Sequence, residues 1–310
     1  MSSYFPDESR GTVITVGSFD GVHQGHRRVL EEMAARARRG RRRSVLVTFD
    51  PHPLEVVNPK AAPPLLSVGH ERTEILAQSQ LDAAVFLRFT AEMAALTPEE
   101  FVELLINRFH LRELVIGYDH GLGRGRTGDV RVLQDLGRRI GFQVDVVDAV
   151  TVDGQAVSST LIRRAVAGGD LQTAARLLGR PYSLSAPVVP GQGRGREIGY
   201  RTINLKLPDP RKLLPPDGVY AVRLEWAGGV KGGMMHQGPR PTFGQPERSL
   251  EVHLFDTDAD FYGAEVKLWW VARLREVMTF ASPEALKLQL DRDFAAARAA
   301  LTAPGASASH

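Results

Sequence analysis

Two histidines, His23 and His26, lie three residues apart in the stretch GSFDGVHQGH, which spans Gly17 to His26 and directly follows an apolar run. Imidazole N–H groups donate hydrogen bonds to phosphate oxygens, and Gly21 and Gly25 let the backbone come close to such a ligand. The run before the histidines is typical of a buried strand, and the apolar spacing after them is typical of a helix. The pair therefore falls at a helix N-terminus, where free N–H groups and the helix dipole attract anions.

Two other interpretations of the histidine pair stay open at this point. A zinc site is the weaker one, because helical ligand pairs usually lie four residues apart with a third ligand, and the chain has no HExxH motif. The other is a pair of histidines that serves only the structure of the turn.

A second stretch, SSTLIRR from Ser158 to Arg164, has the composition of another phosphate site. Ser159, Thr160 and Arg163 fall in the first turns of a predicted helix, where hydroxyl groups, a guanidinium and free backbone N–H groups meet. An ordinary Ser/Thr cap beside solvent-exposed arginines is the alternative interpretation.

A third stretch, GRGRTG, places Gly123, Gly125 and Gly128 in a GxGxxG pattern, with Asp148 twenty residues after the last glycine. This pattern is typical of dinucleotide-dependent dehydrogenases when it directly follows the strand that opens the domain. Here Tyr118 to Leu122 separate the glycines from the preceding strand, and the strand comes late in the domain. The pattern is therefore a weak indication of a dehydrogenase.

The first half of the chain alternates apolar, strand-like runs with helical patterns, which predicts a doubly wound α/β domain with a parallel sheet. One helix is marked by a Thr97 cap, Pro98 in its first position and Glu100, which completes a capping box. The predicted strands are Thr12–Phe19, Ser44–Phe49, Leu81–Leu87, Glu113–Gly117 and Phe142–Val147.

The second half of the chain has a different pattern, with short β-branched or aromatic segments between turns, which predicts an antiparallel barrel or sandwich. The stretch PYSLSAPVVPGQG before it breaks every periodicity and predicts a domain boundary near residue 182. One last helix begins at a Ser282 cap. The predicted domains are 1–182 and 183–302, followed by a disordered tail at 303–310. The predicted strands are Val219–Glu225, Lys231–Met235, Glu251–Leu254 and Glu265–Leu274.

Composition excludes several classes of protein. The 310 residues include no cysteine, so disulfides, zinc–thiolate sites, iron–sulfur clusters and cysteine nucleophiles are excluded. No signal peptide and no run of about 18 apolar residues is present, so we expect a cytoplasmic protein that does not cross a membrane. The net charge is only +3, but Arg36–Arg43 is strongly basic. This stretch is either a nucleic-acid contact or a solvated helix end that stops at Gly40.

Several stretches in order resemble one enzyme family. GSFDGVHQGH, VTFDPHP, VIGYDHGLGRGRTGD and VSSTLIR are similar to the adenylyltransferase module of bacterial bifunctional riboflavin kinase/FAD synthetase, within the nucleotidyltransferase superfamily marked by HxGH and SSTxxR. GQGRGREIGYRTINL and EVHLFDTDADFYG resemble the flavokinase module of the same family. The resemblance runs from about Gly11 to Arg298. It implies a Rossmann-like nucleotidyltransferase domain followed by a mainly antiparallel barrel with a C-terminal helix.

For the first module, the resemblance implies adenylyl transfer from ATP to FMN, in which catalysis is positioning and charge stabilisation. His23 and His26 would be catalytic. A flavin pocket would be shaped by Phe49, His52, Pro53 and Asp119. Asp20 is expected to serve the turn. The ATP contacts implied in this module are Gly17, Phe19, Gly25, Ser159, Thr160 and Arg163.

For the second module, the resemblance implies phosphorylation of riboflavin, with Glu251 as the general base for the ribityl hydroxyl. Thr202 would contact both ATP and Mg²⁺, and Asn204 would be the second metal ligand. Gly193 and Gly195 would belong to a glycine-rich loop over the nucleotide. The chain departs from the family pattern at three positions: Arg201 replaces proline, Ile203 replaces alanine and His236 replaces asparagine. The Thr and Asn keep their spacing, whereas Arg201 adds a charge and removes the fixed φ of a proline.

The expected function is therefore riboflavin plus ATP to FMN, then FMN plus ATP to FAD and pyrophosphate, with Mg²⁺ in both steps. We expect only small-molecule partners, no nucleic acid, no membrane, and a monomer or weak homo-oligomer. An adenylyltransferase with an impaired, flavin-binding second domain is one alternative. A non-catalytic nucleic-acid binder that uses Arg36–Arg43 is the other.

Overall fold

The computed structural model describes residues 10–191, 200–240, 245–257, 259 and 261–302. The chain forms two compact units. The first unit comprises the residues up to Pro64 and the segment Arg72–Ser159, and the second comprises Leu65–Glu71 and everything from Thr160 onward. In the described part of the chain, no helix is both long and apolar enough to cross a membrane.

The first unit is built on a five-stranded parallel sheet in the order β3-β2-β1-β4-β5. Its strands are β1 (Thr12–Val16), β2 (Arg43–Asp50), β3 (Ala83–Arg88), β4 (Leu111–Gly117) and β5 (Gln143–Val147). The helices of this half of the chain are α1 (Gln24–Gly40), α2 (Pro53–Val57), α3 (Gly69–Ala77), α4 (Ala91–Ala95), α5 (Pro98–Phe109) and α6 (Val130–Ile140).

Two apolar clusters cover the two faces of this sheet, because its strands alternate buried side chains toward both sides. Val13 belongs to the cluster that includes Met33 of α1, whereas Ile14 belongs to the cluster that includes Leu105 of α5 and Leu133 of α6. The predicted doubly wound α/β fold is confirmed. The capping box at α5 is also confirmed, since Thr97 Oγ1 accepts from the backbone of Glu100 and Glu100 returns the bond.

Two sequence predictions about chain turns in this unit are wrong in detail. The first strand ends at Val16 and does not reach Phe19, because the chain then enters a turn with positive φ at Phe19 and Val22. At the end of α1, Arg41 adopts the left-handed conformation with φ 51°, and Gly40 is the last helical residue. Arg41 N–H bonds back to the helix, which terminates it without a glycine in the left-handed position.

The connection between the two halves contains a small hairpin and two helices. The hairpin strands are β6 (Thr151–Val152) and β7 (Gln155–Ala156), and the helices are α7 (Ser159–Ala167) and α8 (Leu171–Leu178).

The second unit is a closed six-stranded barrel in the order β10-β11-β12-β9-β8-β13, with antiparallel pairing throughout. The sequence left a barrel and a sandwich open, and the structure selects the barrel. Its strands are β8 (Ser183–Val189), β9 (Ile203–Leu205), β10 (Gly218–Trp226), β11 (Gly229–Arg240), β12 (Gln245–Leu254) and β13 (Glu265–Arg275). The last helix, α9 (Pro283–Thr302), starts at the predicted Ser282 cap, whose Oγ accepts from Ala285 N.

The stretch around Pro187, which the sequence analysis treated as a break in periodicity, forms β8 instead. Leu184, Ala186 and Val188 alternate into the barrel interior, so the strand has a buried face that outweighs the proline. Pro187 is tolerated because pairing with β9 begins only at Val188. The predicted tail at 303–310 lies outside the described residues.

The segment Leu65–Glu71, from the first half of the chain, belongs to the second unit. A buried ion pair between Glu71 and Lys212 holds it there. Lys212 Nζ donates to Glu71 Oε2 at 2.7 Å and to the carbonyl of Leu66 at 2.7 Å. Ser183 Oγ donates to the other Glu71 oxygen at 2.8 Å. Lysine is almost never fully buried unless it is paired, so this set of bonds is what allows Lys212 to lie inside.

Candidate functional site

Three loops that carry predicted site residues follow neighbouring strands of the first unit. The turn with the histidine pair follows β1, the FDPHP stretch overlaps the end of β2, and the YDHGLG stretch follows β4. The strand order reverses between β1 and β4, since the chain runs outward to β2 and β3 on one side and to β4 and β5 on the other. In open parallel sheets, ligands bind outside the carboxyl ends of the strands at this reversal.

His23 and His26 form a stacked pair at the start of α1. His23 is the N-cap, only 6% exposed, and its Nδ1 accepts from His26 N at 3.3 Å. The two rings lie 3.6 Å apart with an interplanar angle of 17°. Because Nδ1 of His23 accepts a bond, the proton of the neutral ring lies on Nε2, which makes that atom a hydrogen-bond donor. The arrangement presents an imidazole donor and a helix N-terminus together.

The residue types at Gly25 and Phe19 are set by close contacts with the two histidine rings. A Cβ on Gly25 would lie 3.2 Å from two atoms of the His23 ring, so a larger residue would push that ring away. The Phe19 ring lies 4.6 Å from the His26 ring, and a Cβ on Gly17 would lie 3.1 Å from the Phe19 ring. Gly17, Phe19 and Gly25 thus shape the positions of the histidines.

The SSTLIRR stretch is hydrogen-bonded to this turn through one residue, Ser159. Ser159 Oγ donates to the carbonyl of Asp20 at 3.0 Å, so the start of α7 is bonded to the histidine turn within the first unit. Asp20 itself is 2% exposed. Thr160 is exposed and Arg163 is half-buried, and both follow in the first turns of α7. Arg163 is four residues beyond Ser159, so the two share a helix face.

The FDPHP residues are held mainly by local structure. The Phe49 ring is buried in the core and packs edge-on against Phe89 and Phe101. His52 caps α2 through Nδ1, which accepts from Leu54 N at 3.2 Å, and Pro53 occupies the first helical position. The predicted flavin contacts of Phe49, His52 and Pro53 therefore stay predictions.

The YDHGLG loop contains a residue that the sequence analysis did not single out. Asp119 is exposed, and its carbonyl accepts from Arg126 at 2.8 Å. His120, next to it, has a buried Nε2 with no hydrogen-bond partner among the described residues. Burial and, to a smaller extent, the charge of Arg126 lower the pKa of His120 to about 4, so the ring is neutral at pH 7. The sequence feature that could have pointed to His120 is its position inside the YDHGLG motif.

The dinucleotide and nucleic-acid alternatives find little support in the geometry. The GxGxxG glycines lie in a short turn before α6, and Asp129 caps that helix. In the basic stretch, Arg36 and Arg42 both bind the buried carboxylate of Glu113, at 3.0 and 3.1 Å. Part of the positive charge in Arg36–Arg43 is thus neutralised.

In the second unit, the predicted kinase residues meet across paired strands. Asn204 on β9 lies directly opposite Glu251 on β12, and His236 on β11 lies opposite Glu251 on its other side. Thr202 is two residues before Asn204 and directly precedes β9. Ser249 Oγ donates to Glu251 Oε1 at 2.7 Å.

The start of the glycine-rich loop also meets this group. A Cβ on Gly191 would lie 1.9 Å from Asn204 Nδ2, so a larger residue would displace this amide. Gly193 and Gly195 lie outside the described residues. The oxygen donors of Thr202 and Asn204 suit Mg²⁺, which takes few protein ligands and keeps waters and phosphate oxygens. The described residues contain no cluster of three or more His, Asp or Glu side chains that would hold a metal by themselves.

A cavity of about 490 Å³ lies beside this group, between β9, β12 and α9. Its lining includes Arg201, Ile203, His253, Phe255 and Phe294. Two of the three departures from the family pattern, Arg201 and Ile203, therefore face a cavity of the size that holds small ligands.

Comparison with known proteins gives matches over both halves of the chain. The FAD synthetase family model matches residues 5–161, and the riboflavin kinase family model matches residues 178–301. A bifunctional riboflavin kinase/FMN adenylyltransferase from Pseudomonas fluorescens is 38% identical over 96% of each chain. The protein of the same name from Escherichia coli K12 is 36% identical over 93% of this chain and 92% of its own.

Among solved structures, a protein described as a macrolide-efflux protein from Streptococcus pneumoniae superposes with a TM-score of 0.83. It is 31% identical, and the match covers 94% of each chain. The two family models and the full-length relatives agree with the two units and with the motifs in each. The chain belongs to the bifunctional riboflavin kinase/FMN adenylyltransferase family.

Proposed function

We propose that this chain phosphorylates riboflavin with ATP to give FMN, and then transfers the adenylyl group of a second ATP to FMN to give FAD and pyrophosphate. One observation carries the proposal: in a chain of this family, each unit holds its own group of residues suited to phosphate-transfer chemistry. The histidine turn is the first group, and the Asn204–Glu251 pair is the second.

In the adenylyl transfer, a phosphate oxygen of FMN attacks the α-phosphorus of ATP in line, and the bond to the pyrophosphate breaks. The attacking phosphate is already an anion, so no general base is needed, and the protein contributes positioning and charge stabilisation. His23 Nε2–H, His26 and the N-terminus of α1 would bind the triphosphate. Ser159, at the N-terminus of α7, would contribute to holding the departing pyrophosphate, and the same role for Thr160 and Arg163 stays a prediction from the sequence.

In the phosphorylation, the 5′-hydroxyl of the ribityl chain attacks the γ-phosphorus of ATP, and ADP leaves. A neutral hydroxyl is a weak nucleophile, so Glu251 would accept its proton as the new P–O bond forms. The bond from Ser249 orients the carboxylate for this task. The neighbouring cavity is large enough for a heterocyclic ring of a substrate.

Magnesium would be held in the second unit by the Thr202 hydroxyl and the Asn204 amide oxygen, together with ATP phosphates and waters. When bound, the ion neutralises phosphate charge. Arg201 and Ile203 change the residues next to these ligands but leave the Thr and Asn spacing intact. His236 lies opposite Glu251 where the family has asparagine.

We further propose that the adenylyl step belongs to residues 1–182 and the kinase step to residues 183–302. The ranges matched by the two family models support this assignment. The partners are small molecules, and we propose that the chain works as a monomer or weak homo-oligomer in the cytoplasm, without nucleic acid. The ion pairs of Arg36 and Arg42 with Glu113 support the last point.

Product analysis tests the proposal. The purified protein is incubated with riboflavin, ATP and Mg²⁺, and the flavins are separated at intervals. We expect FMN to form first and FAD to follow. If FMN is converted to FAD but riboflavin is refused, the kinase assignment is wrong. If neither product forms, both assignments are wrong.

A further inference from the structure

We propose that Arg72, a residue outside all of the motifs above, is a positioning residue for adenylyl transfer that fixes the histidine turn and the FDPHP loop to each other. The inference rests on the proposed function of the first unit. Arg72 lies in the first turn of α3, about fifty residues along the chain from the histidine pair. It would act through those loops and does not need to contact a substrate.

The guanidinium of Arg72 bonds to both loops at once. Nη1 donates to the carbonyl of Phe49 at 3.1 Å. Nη2 donates to the carbonyl of Ser18 and to Thr48 Oγ1. Thr48 Oγ1 in turn donates to the same Ser18 carbonyl at 3.2 Å. The ends of β1 and β2 are thereby joined through a planar group whose donors have a fixed separation.

The turn after Ser18 needs such an attachment because its backbone is strained. Phe19 has φ 46° and Val22 has φ 38°, a region that is unfavourable for non-glycine residues. Strained conformations persist only where surrounding contacts enforce them. The Ser18 carbonyl is the last backbone group before Phe19, and the Phe19 ring touches His26. A hydrogen bond to the Ser18 carbonyl therefore helps to fix the position of the His26 ring.

The surroundings of Arg72 favour a role beyond general stability. The side chain is largely buried over the Phe86 ring, at 5.2 Å from its centroid. Burial lowers the pKa of Arg72, and Asp20 and Asp50 oppose that shift, yet an arginine stays charged. Its Nε is buried without a hydrogen-bond partner among the described residues. A buried charge with an unsatisfied N–H lowers the stability of the fold. The same charge adds positive potential, which favours the binding of phosphates.

The test compares Arg72→Met and Arg72→Lys with the control Arg36→Met. Arg36 is another bonded arginine of the first unit, but its partners are carboxylates, Glu113 and Asp145 among them, and these bonds lie away from both loops. For each variant, kcat/KM is measured for FMN adenylylation and for riboflavin phosphorylation. Amide hydrogen exchange is measured in peptides that cover residues 17–23 and 49–53.

We expect Arg72→Met to lower kcat/KM for adenylylation by about 30- to 100-fold, since small misplacements of catalytic groups have effects of this size. Riboflavin phosphorylation should stay near the wild-type value, and exchange should accelerate in both peptides. Arg72→Lys should fall between wild type and Arg72→Met, because it keeps the charge but not the planar fork. Arg36→Met should lower thermal stability without changing adenylylation.

A third variant, Thr48→Val, keeps the shape of the side chain and removes only the hydroxyl that bridges to Ser18. It should loosen residues 17–23 and leave residues 49–53 protected. Unchanged exchange in both peptides of Arg72→Met, or wild-type adenylylation by that variant, would overturn the proposal. Equal loss of both activities would overturn it as well. If wild-type protein makes no FAD, the proposed function fails, and the exchange data still decide whether Arg72 fixes the loops.

Discussion

The histidine group of the first unit comes from one short turn, whereas the group of site residues in the second unit needs three strands paired in register. His23, Gly25 and His26 are neighbours in the sequence and stay neighbours in space. Asn204 and Glu251 are far apart in the sequence and meet only because β9 pairs with β12. The first arrangement depends on a strained turn and its attachments, and the second depends on strand register.

The largest effect is expected from Glu251→Gln. Loss of the general base should lower riboflavin phosphorylation by about 10³-fold, in line with the usual contribution of such a group. Adenylylation of supplied FMN should be unchanged, because Glu251 lies on a strand of the barrel and is not among the residues assigned to that step. Steady-state assays of both steps on one preparation give the comparison. Wild-type phosphorylation by this variant would exclude Glu251 as the base.

A smaller effect, in the opposite step, is expected from His26→Ala. Removing one donor that stabilises developing charge should lower FMN adenylylation by about 10²-fold. The kinase step serves as the internal control for folding and should be retained. The assignment of His26 to the phosphate site is wrong if the variant adenylylates FMN at the normal rate.

A third variant, Gly191→Ala, tests the contact between the glycine-rich loop and Asn204. The added Cβ would lie 1.9 Å from Asn204 Nδ2, so this amide must move. We expect riboflavin phosphorylation to fall by about tenfold, with a higher Mg²⁺ requirement. Gly40→Ala is the matched control, because its nearest neighbours are flexible Arg42 atoms at 3.5 Å. Equal activity of the two variants would show that the contact is unimportant.

The smallest effect concerns stability and pH. The pKa of His120 falls to about 4 in the folded chain from an ordinary value of 6.5, so the unfolded chain binds this proton first as pH falls. Stability from the neutral ring is complete above pH 6.5 and is lost between pH 6.5 and 4, by at most about 3 kcal/mol. Urea unfolding of wild type and His120→Gln at pH 7 and 4.5 checks this. Parallel losses in both proteins would contradict it.

Sequence reasoning located the parts of the fold and the site that depend on local patterns. The histidine turn, the α5 capping box and the final helix each have their determinants within a few residues, and each was found. β8 was missed because proline and glycine signals hid the alternation of Leu184, Ala186 and Val188.

The features that sequence reasoning could not reach depend on tertiary contacts. Arg72 bonds to two loops that precede it by more than twenty residues, and no local pattern marks such a bond. The positive φ of Phe19 and Val22 goes against the preferences of both residue types. The pairing of Asn204 with Glu251 required the register of the barrel.

Complementation between two single-site variants shows whether the two sites work independently. Glu251→Gln and His26→Ala proteins are incubated separately and together with riboflavin, ATP and Mg²⁺, and FAD is quantified. Separately, the first should leave riboflavin unchanged and the second should stop at FMN. Together they should produce FAD, because FMN made by one protein is adenylylated by the other. The two sites do not work independently if the mixture makes no FAD although the Glu251→Gln protein still converts added FMN. Substantial FAD from either variant alone would contradict the assignment of its residue.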